Sequence, residues 1–241
     1  MEPTVESLPD AAALAARAAE LIIEQSSKSN SNGEKFSLAL SGGSTPKTLY
    51  QLLADPNQDF RGRIPWGRTH FFWTDERHVG PDDPESNYRM AYDAMLSRVP
   101  VPPENIHRVK SELKNAERAA TEYESELKKS LGALPKLDLV LLGMGVDGHT
   151  ASIFPGSEVL EEQHQLVLAP WVQQLNVYRL TMTLPILNNA EAVLLLVSGE
   201  EKATMLREVL KGPADQYPVQ AIQPTSGKLT WLVDSAAASK L

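Results

Sequence analysis

Short, mostly continuous apolar runs punctuate the chain at 36–40, 70–73, 137–142, 179–184, 192–197 and 229–233. Continuous rather than alternating apolar character is the pattern of strands covered on both faces. Helical spacing fills the gaps. Ala116, Ala120, Tyr123 and Leu127 share one helix face behind Asn115 as N-cap. Asp83 followed by Pro84 predicts another helix start, and the stretch "GEEKATMLREVLKG" predicts a helix closing at Gly212. "DAAALAARAAELIIEQ" reads as the first helix, while 25–35 and 99–105 read as loops. Strands alternating with helices predict an α/β fold, a mostly parallel sheet with helices on both faces, in one domain spanning 1–241.

Four segments carry candidate chemistry. In "LALSGGSTPKTLYQLLA", a strand runs into Ser41, Gly42, Gly43 and Ser44, and Thr45 before Pro46 predicts a capped helix start. Free N–H groups and the positive helix end favour an anion there. The same residues also suit a tight turn that binds nothing, and Pro46 excludes a Walker A loop. In "FFWTDERHVGPDDPESNY", a strand ends in Asp75, Glu76, Arg77 and His78, where open α/β sheets bind ligands. A solvated charged loop is the plain alternative, and "GPDDPESN" is a candidate lid.

In "LDLVLLGMGVDGHTASIFPGS", a buried strand leads to three glycines, Asp147 and His149. The glycine spacing satisfies a dinucleotide fingerprint, but no helix opening or acid-ended strand follows it as that motif requires. His149 has the intrinsic basicity of a general base near neutrality, or it is a hydrogen-bonded loop histidine. Arg179 and Lys202 are the remaining cations of interest; Lys202 sits in a first helical turn, where the macrodipole disfavours it unless an anion is near.

Composition narrows the classes. With no cysteine, disulfides, thiolate metal sites and a cysteine nucleophile are excluded. A net charge of −8 disfavours nucleic acid or an anionic membrane as partner, so an anionic ligand needs a local cationic cluster. No apolar run approaches the roughly 20 residues that span a bilayer. The acids in the N-terminal segment argue against a transit peptide, and a cytoplasmic location is expected.

Together "LSGGSTP", "WTDERHV" with "SNY", "GMGVDGHTASIFPG", "RLTMTLPILNNA" and "LLLVSGEEKA" resemble the 6-phosphogluconolactonase family of the glucosamine/galactosamine-6-phosphate isomerase-like superfamily, in order over roughly Phe36 to Lys202. The resemblance implies a Rossmann-like fold and hydrolysis of 6-phosphoglucono-δ-lactone, with no metal or organic cofactor. It implies a substrate loop at Gly42, Gly43, Ser44 and Thr45, phosphate neutralisation by Arg179 and Lys202, and Arg77 facing the substrate. His149 takes the general-base position, with Asp147 and Asp75 as acidic positions near the reacting carbon. The chain departs from the family in reading "LNVYR" where proline is common before Arg179.

Two other readings stand beside this one. Glucosamine-6-phosphate deaminases resemble it but carry an Asn-Glu-Pro segment where this chain has Ile153, Phe154 and Pro155. A non-enzymatic sugar-phosphate sensor would need a DNA-binding module, for which the residues before the first predicted strand at 36 leave no room. The expected partner is a small phosphorylated sugar lactone bound by a monomer.

Overall fold

The computed structural model describes residues 3–31 and 34–241. Its main sheet contains β1 (Thr4–Leu8), β2 (Phe36–Leu40), β3 (Thr69–Trp73), β5 (Leu139–Leu142), β9 (Ala192–Val197) and β10 (Lys228–Asp234). All neighbours pair in parallel, in the order β1-β10-β9-β5-β2-β3. Every residue of β2, β3, β5 and β9 is buried, which is why β5 and β9 read as unbroken apolar runs and β2 and β3 as mostly apolar ones, with Ser37, Thr69 and His70 the polar exceptions.

The helices are α1 (Ala11–Ser31), α2 (Ser44–Ala54), α3 (Phe60–Arg63), α4 (Asn87–Ala94), α5 (Ala116–Leu131), α6 (Leu184–Leu187) and α7 (Ala203–Lys211). From β1 to β2 to β3 the chain moves one way across the sheet; from β3 through β5 and β9 to β10 it moves back. Right-handed crossovers therefore put α1 and α2 on one face, where they pack together, and α5 and α7 on the other, while α4 packs against α2. The direction reverses between β2 and β5, and at such a switch point the two outgoing loops splay apart and leave a crevice at the strands' carboxyl ends.

A second, antiparallel sheet joins β4 (Asp75–Arg77), β8 (Val177–Met182) and β6 (Val167–Leu168), with β7 (Trp171–Val172) also on β8. It continues directly from β3, and the Met182 N–H donates to Thr74 O at 2.8 Å, so the ribbon is fastened above the switch point.

Several local expectations are corrected. The predicted strand at 179–184 is β8, shifted toward the N-terminus and outside the parallel sheet. A strand precedes the first helix: β1 lies at the sheet edge, so the first strand is not the one at 36. The loop at 25–35 is helix as far as Ser31, and Asn32 and Gly33 lie outside the described residues. Its serines stay helical because their hydroxyls find acceptors: Ser26 and Ser27 on Ile23 O, Ser29 on the Asp138 carboxylate.

The helix expected from Asp83 and Pro84 starts at Asn87, capped by Ser86. The buried Glu76 carboxylate decides this by accepting the Asn87 and Tyr88 N–H groups and the Ser86 hydroxyl. Thr45 is not a cap: α2 begins one residue earlier, at Ser44, behind Gly43 at φ 106°. Asn115 and Gly212 occupy the helix ends assigned to them.

Candidate active site

Two buried tyrosines fix the strand ends from which the site is built. Tyr50 Oη donates to Ser41 O at 2.8 Å and accepts the Ser41 N–H at 3.0 Å; Tyr123 Oη makes the same pair of bonds with Trp73 O and N. The backbone turning out of β2 and β3 is thus held by core side chains, not by further strand. Beyond it, the Gly42 and Gly43 N–H groups bond to no described residue, and the first-turn N–H groups of α2 have no intrahelical acceptor. Gly42 cannot carry a side chain: a Cβ there would lie 2.1 Å from Asn87 Oδ1.

After β5 the chain closes a tight turn. The Gly148 N–H donates to Gly145 O at 3.1 Å, the Gly145 N–H to His149 O at 2.8 Å, and Gly148 takes φ 79°. His149 Nδ1 lies 2.6 Å from Asp147 Oδ1, and Phe154 stacks on the imidazole with centroids 4.4 Å apart. Burial opposes ionisation of Asp147, but the hydrogen bonds from the His149 ring and backbone outweigh it and hold the carboxyl below its ordinary range. With Nδ1 donating to that carboxylate, the ring's lone pair is on Nε2. A Cβ on Gly145 would lie 2.1 Å from His149 Nδ1, so the dyad requires glycine there.

These loops enclose a cleft of about 210 Å³. Of the residues expected from sequence it brings together Gly42, Gly43, Asp75, Arg77, His149 and Lys202. Ser44 and Thr45 do not line it, nor does Asp147, which reaches it through His149. Arg179 does not line it either; it sits opposite Arg77 across the β4–β8 pair. Burial, then the Arg77 charge, pushes Arg179 below the usual guanidinium range. No carboxylate forms an ion pair with Arg77, Arg179 or Lys202 among the described residues, although nine arginine or lysine ion pairs occur elsewhere among them. Three cations left without carboxylates around one cleft suit an anionic ligand.

Asp75 points its carboxylate at protein as well as cleft: Ser152 donates to it at 2.8 Å, and its carbonyl accepts from Asn87 Nδ2 at 2.9 Å. Ser41, named with the glycine loop, also lines the cleft, and Asn87, Met144 and Thr150 line it without having been singled out from sequence. For Asn87 the only local signal was its place after the Ser86 cap, which reads as ordinary helix-start chemistry. Within the candidate lid, Glu85 O accepts from Arg77 Nη1 at 2.6 Å.

A larger groove of about 1010 Å³ runs beside the amino end of β10, lined by Leu210, Val219, Ile222, Leu229 and Trp231. Asp215 is its sole ionisable lining residue, so it offers an anion nothing. Among the described residues no cluster of three or more His, Asp or Glu is placed to hold a metal ion, and no helix is long and apolar enough to cross a membrane.

Known proteins share the sequence and the fold. The family model described as glucosamine-6-phosphate isomerases/6-phosphogluconolactonase matches residues 9–231. The 6-phosphogluconolactonase of a Nostoc species is 42% identical, covering 100% of this chain and 99% of that protein. A crystal structure of a protein named devB superposes with TM-score 0.91 at 34% identity over 100% of both chains. A 6-phosphogluconolactonase from Trypanosoma cruzi gives TM-score 0.86 at 32% identity, over 100% of this chain and 97% of that one. Agreement in sequence and fold along the whole length places this chain in the glucosamine-6-phosphate isomerase/6-phosphogluconolactonase family.

Proposed function

We propose that this chain is a lactone hydrolase converting 6-phospho-D-glucono-1,5-lactone to 6-phospho-D-gluconate, the second step of the oxidative pentose phosphate pathway. The observation that carries this reading is an imidazole with a free Nε2, backed by a carboxylate, in one cleft with unpaired cations and unsatisfied N–H groups. A base alone would suit many reactions, and an anion site alone would suit a sensor. Their union suits attack by water on a phosphorylated substrate.

His149 Nε2 removes a proton from water as the water oxygen bonds to the lactone carbonyl carbon. The Asp147 carboxylate stabilises the imidazolium so formed. Collapse of the tetrahedral intermediate breaks the bond from that carbon to the ring oxygen, which takes the proton back from His149. The product acid then ionises. General-base assistance of this kind contributes roughly 10²–10⁴-fold. Gly42 and Gly43 offer N–H groups to the substrate, Arg179 and Lys202 neutralise its phosphate, Arg77 faces the substrate, and Asp75 with Asn87 orients its hydroxyls.

Deamination of an amino sugar phosphate ranks below hydrolysis because Phe154, not a carboxylate, packs on His149. The proposal has residues 1–241 acting as one domain, supported by one hydrophobic core cluster from Leu14 to Ala237 among the described residues, and working as a monomer in the cytoplasm. The test is loss of the phosphorylated lactone measured against its spontaneous opening. A rate no greater than background, or ammonia release from glucosamine 6-phosphate at a comparable rate, overturns the reading.

A further inference from the structure

The base-bearing turn is exposed on one side, where Val146 is 58% exposed and the Asp147 side chain 46% exposed. On its other side it meets a segment some seventy residues later in the chain. The Tyr217 ring fills the space where Gly148 lacks a side chain: a Cβ at Gly148 would lie 2.8 Å from Tyr217 Cβ and Cδ1 and 2.9 Å from Cγ. Two residues on, the Val219 N–H donates to Gly148 O at 3.0 Å. Gly148 is the left-handed residue between Asp147 and His149, so its φ and its carbonyl direction set where the two side chains point.

That segment is itself anchored. Val219 is fully buried, and the Gln220 side chain accepts the Gln216 and Tyr217 N–H groups while donating to Val209 O and Pro213 O. Val209 lies on α7, the helix that follows directly on Lys202. The support behind His149 is thereby joined to the helix that begins right after Lys202, one of the cleft's cations.

We propose that Tyr217 is a positioning residue for the hydrolysis: its ring, seated on Gly148, holds the 145–149 turn in the shape that joins Asp147 to His149 and aims Nε2 into the cleft. This rests on the function proposed above. The atoms that touch the turn are the Cβ and ring carbons, so the role belongs to the ring, not to the hydroxyl. A small displacement of a catalytic group costs rate far more than it costs binding, because the near-attack geometry is lost while the phosphate contacts remain.

Steady-state kinetics with the phosphorylated lactone tests this on wild type, Tyr217→Ala, Tyr217→Phe and His149→Ala, each checked for a cooperative thermal transition. Tyr217→Ala is expected to lower kcat roughly tenfold or more with KM within about twofold, and Tyr217→Phe to keep both within about twofold. Wild-type kcat in Tyr217→Ala, a loss confined to KM, or an equal loss in Tyr217→Phe overturns the proposal. Should Tyr217→Ala not fold, Tyr217→Val takes its place with the same split expected. Failure of the underlying function is distinct: wild type at the spontaneous rate, or His149→Ala as active as wild type.

Discussion

Arg77 and Arg179 are direct partners across the antiparallel pair of β4 and β8, so two like charges share one face of a short ribbon. Like charges directly opposite destabilise a strand pair. The cost is tolerable where an anion sits between them, and Lys202 reaches the same cleft from another loop.

Replacing Arg179 or Lys202 by alanine should raise KM for the phosphorylated lactone about tenfold or more, in line with the roughly 1.5–3 kcal/mol of a hydrogen bond to a charged group. KM for unphosphorylated gluconolactone should change little. Parallel kinetics on both substrates decides the matter, and equal effects would remove the phosphate from these residues.

His149→Ala should lower kcat by roughly 10²–10⁴ while 6-phosphogluconate still binds, as titration calorimetry can measure. Gly145→Ala is the subtler probe. Its Cβ falls 2.1 Å from His149 Nδ1 and 2.5 Å from Asp147 Oδ1, so it should break the dyad and lower kcat without removing either residue. Wild-type turnover in Gly145→Ala would show that the Asp147 contact does not matter.

Tyr50→Phe deletes both bonds to the Ser41 backbone and leaves a buried N–H and C=O without partners. A loss of roughly 1–3 kcal/mol is expected from chemical denaturation. Because the same bonds hold the loop before Gly42, KM should rise as well.

Away from the cleft, His70 is buried with Nδ1 2.9 Å from His107 Nε2, and His107 Nδ1 in turn lies 2.8 Å from Glu126. Burial first, then the charge of Lys35 and the neighbouring His107, pushes His70 down to about 4 against the attraction of Glu104. The unfolded chain takes up this proton near 6.5, the folded one only near 4. Folding stability from this group is therefore full above pH 6.5 and falls as pH drops toward 4. Thermal melts at pH 7 and pH 4.5 should show a smaller acid-induced drop in His70→Leu than in wild type.

How much of this was legible in the chain differs residue by residue. The apolar runs at 36–40 and 192–197 coincide with β2 and β9, because a strand buried on both faces is apolar at nearly every position, Ser37 being held by Asp138. The glycine-rich turns, Asn115 and Gly212 were equally readable, since cap and turn chemistry acts over three or four residues. Two of the site's components, the Gly42–Gly43 loop and the Asp147–His149 turn, belong to that class.

Tertiary structure decided the rest. Strands of two or three residues such as β4, β6 and β7 carry no periodicity, and β8 became antiparallel only by pairing with them. The start of α4 was set by Glu76, ten residues upstream of its Ser86 cap, and Ser29 of α1 was satisfied by an aspartate at 138. Arg179 joined Arg77, and Asn87 closed on Gly42, through contacts that no local pattern encodes. Backbone propensity and burial are properties of a short window of chain, whereas the meeting of charges and hydrogen-bonding groups from distant segments exists only once the sheet has brought its strand ends together.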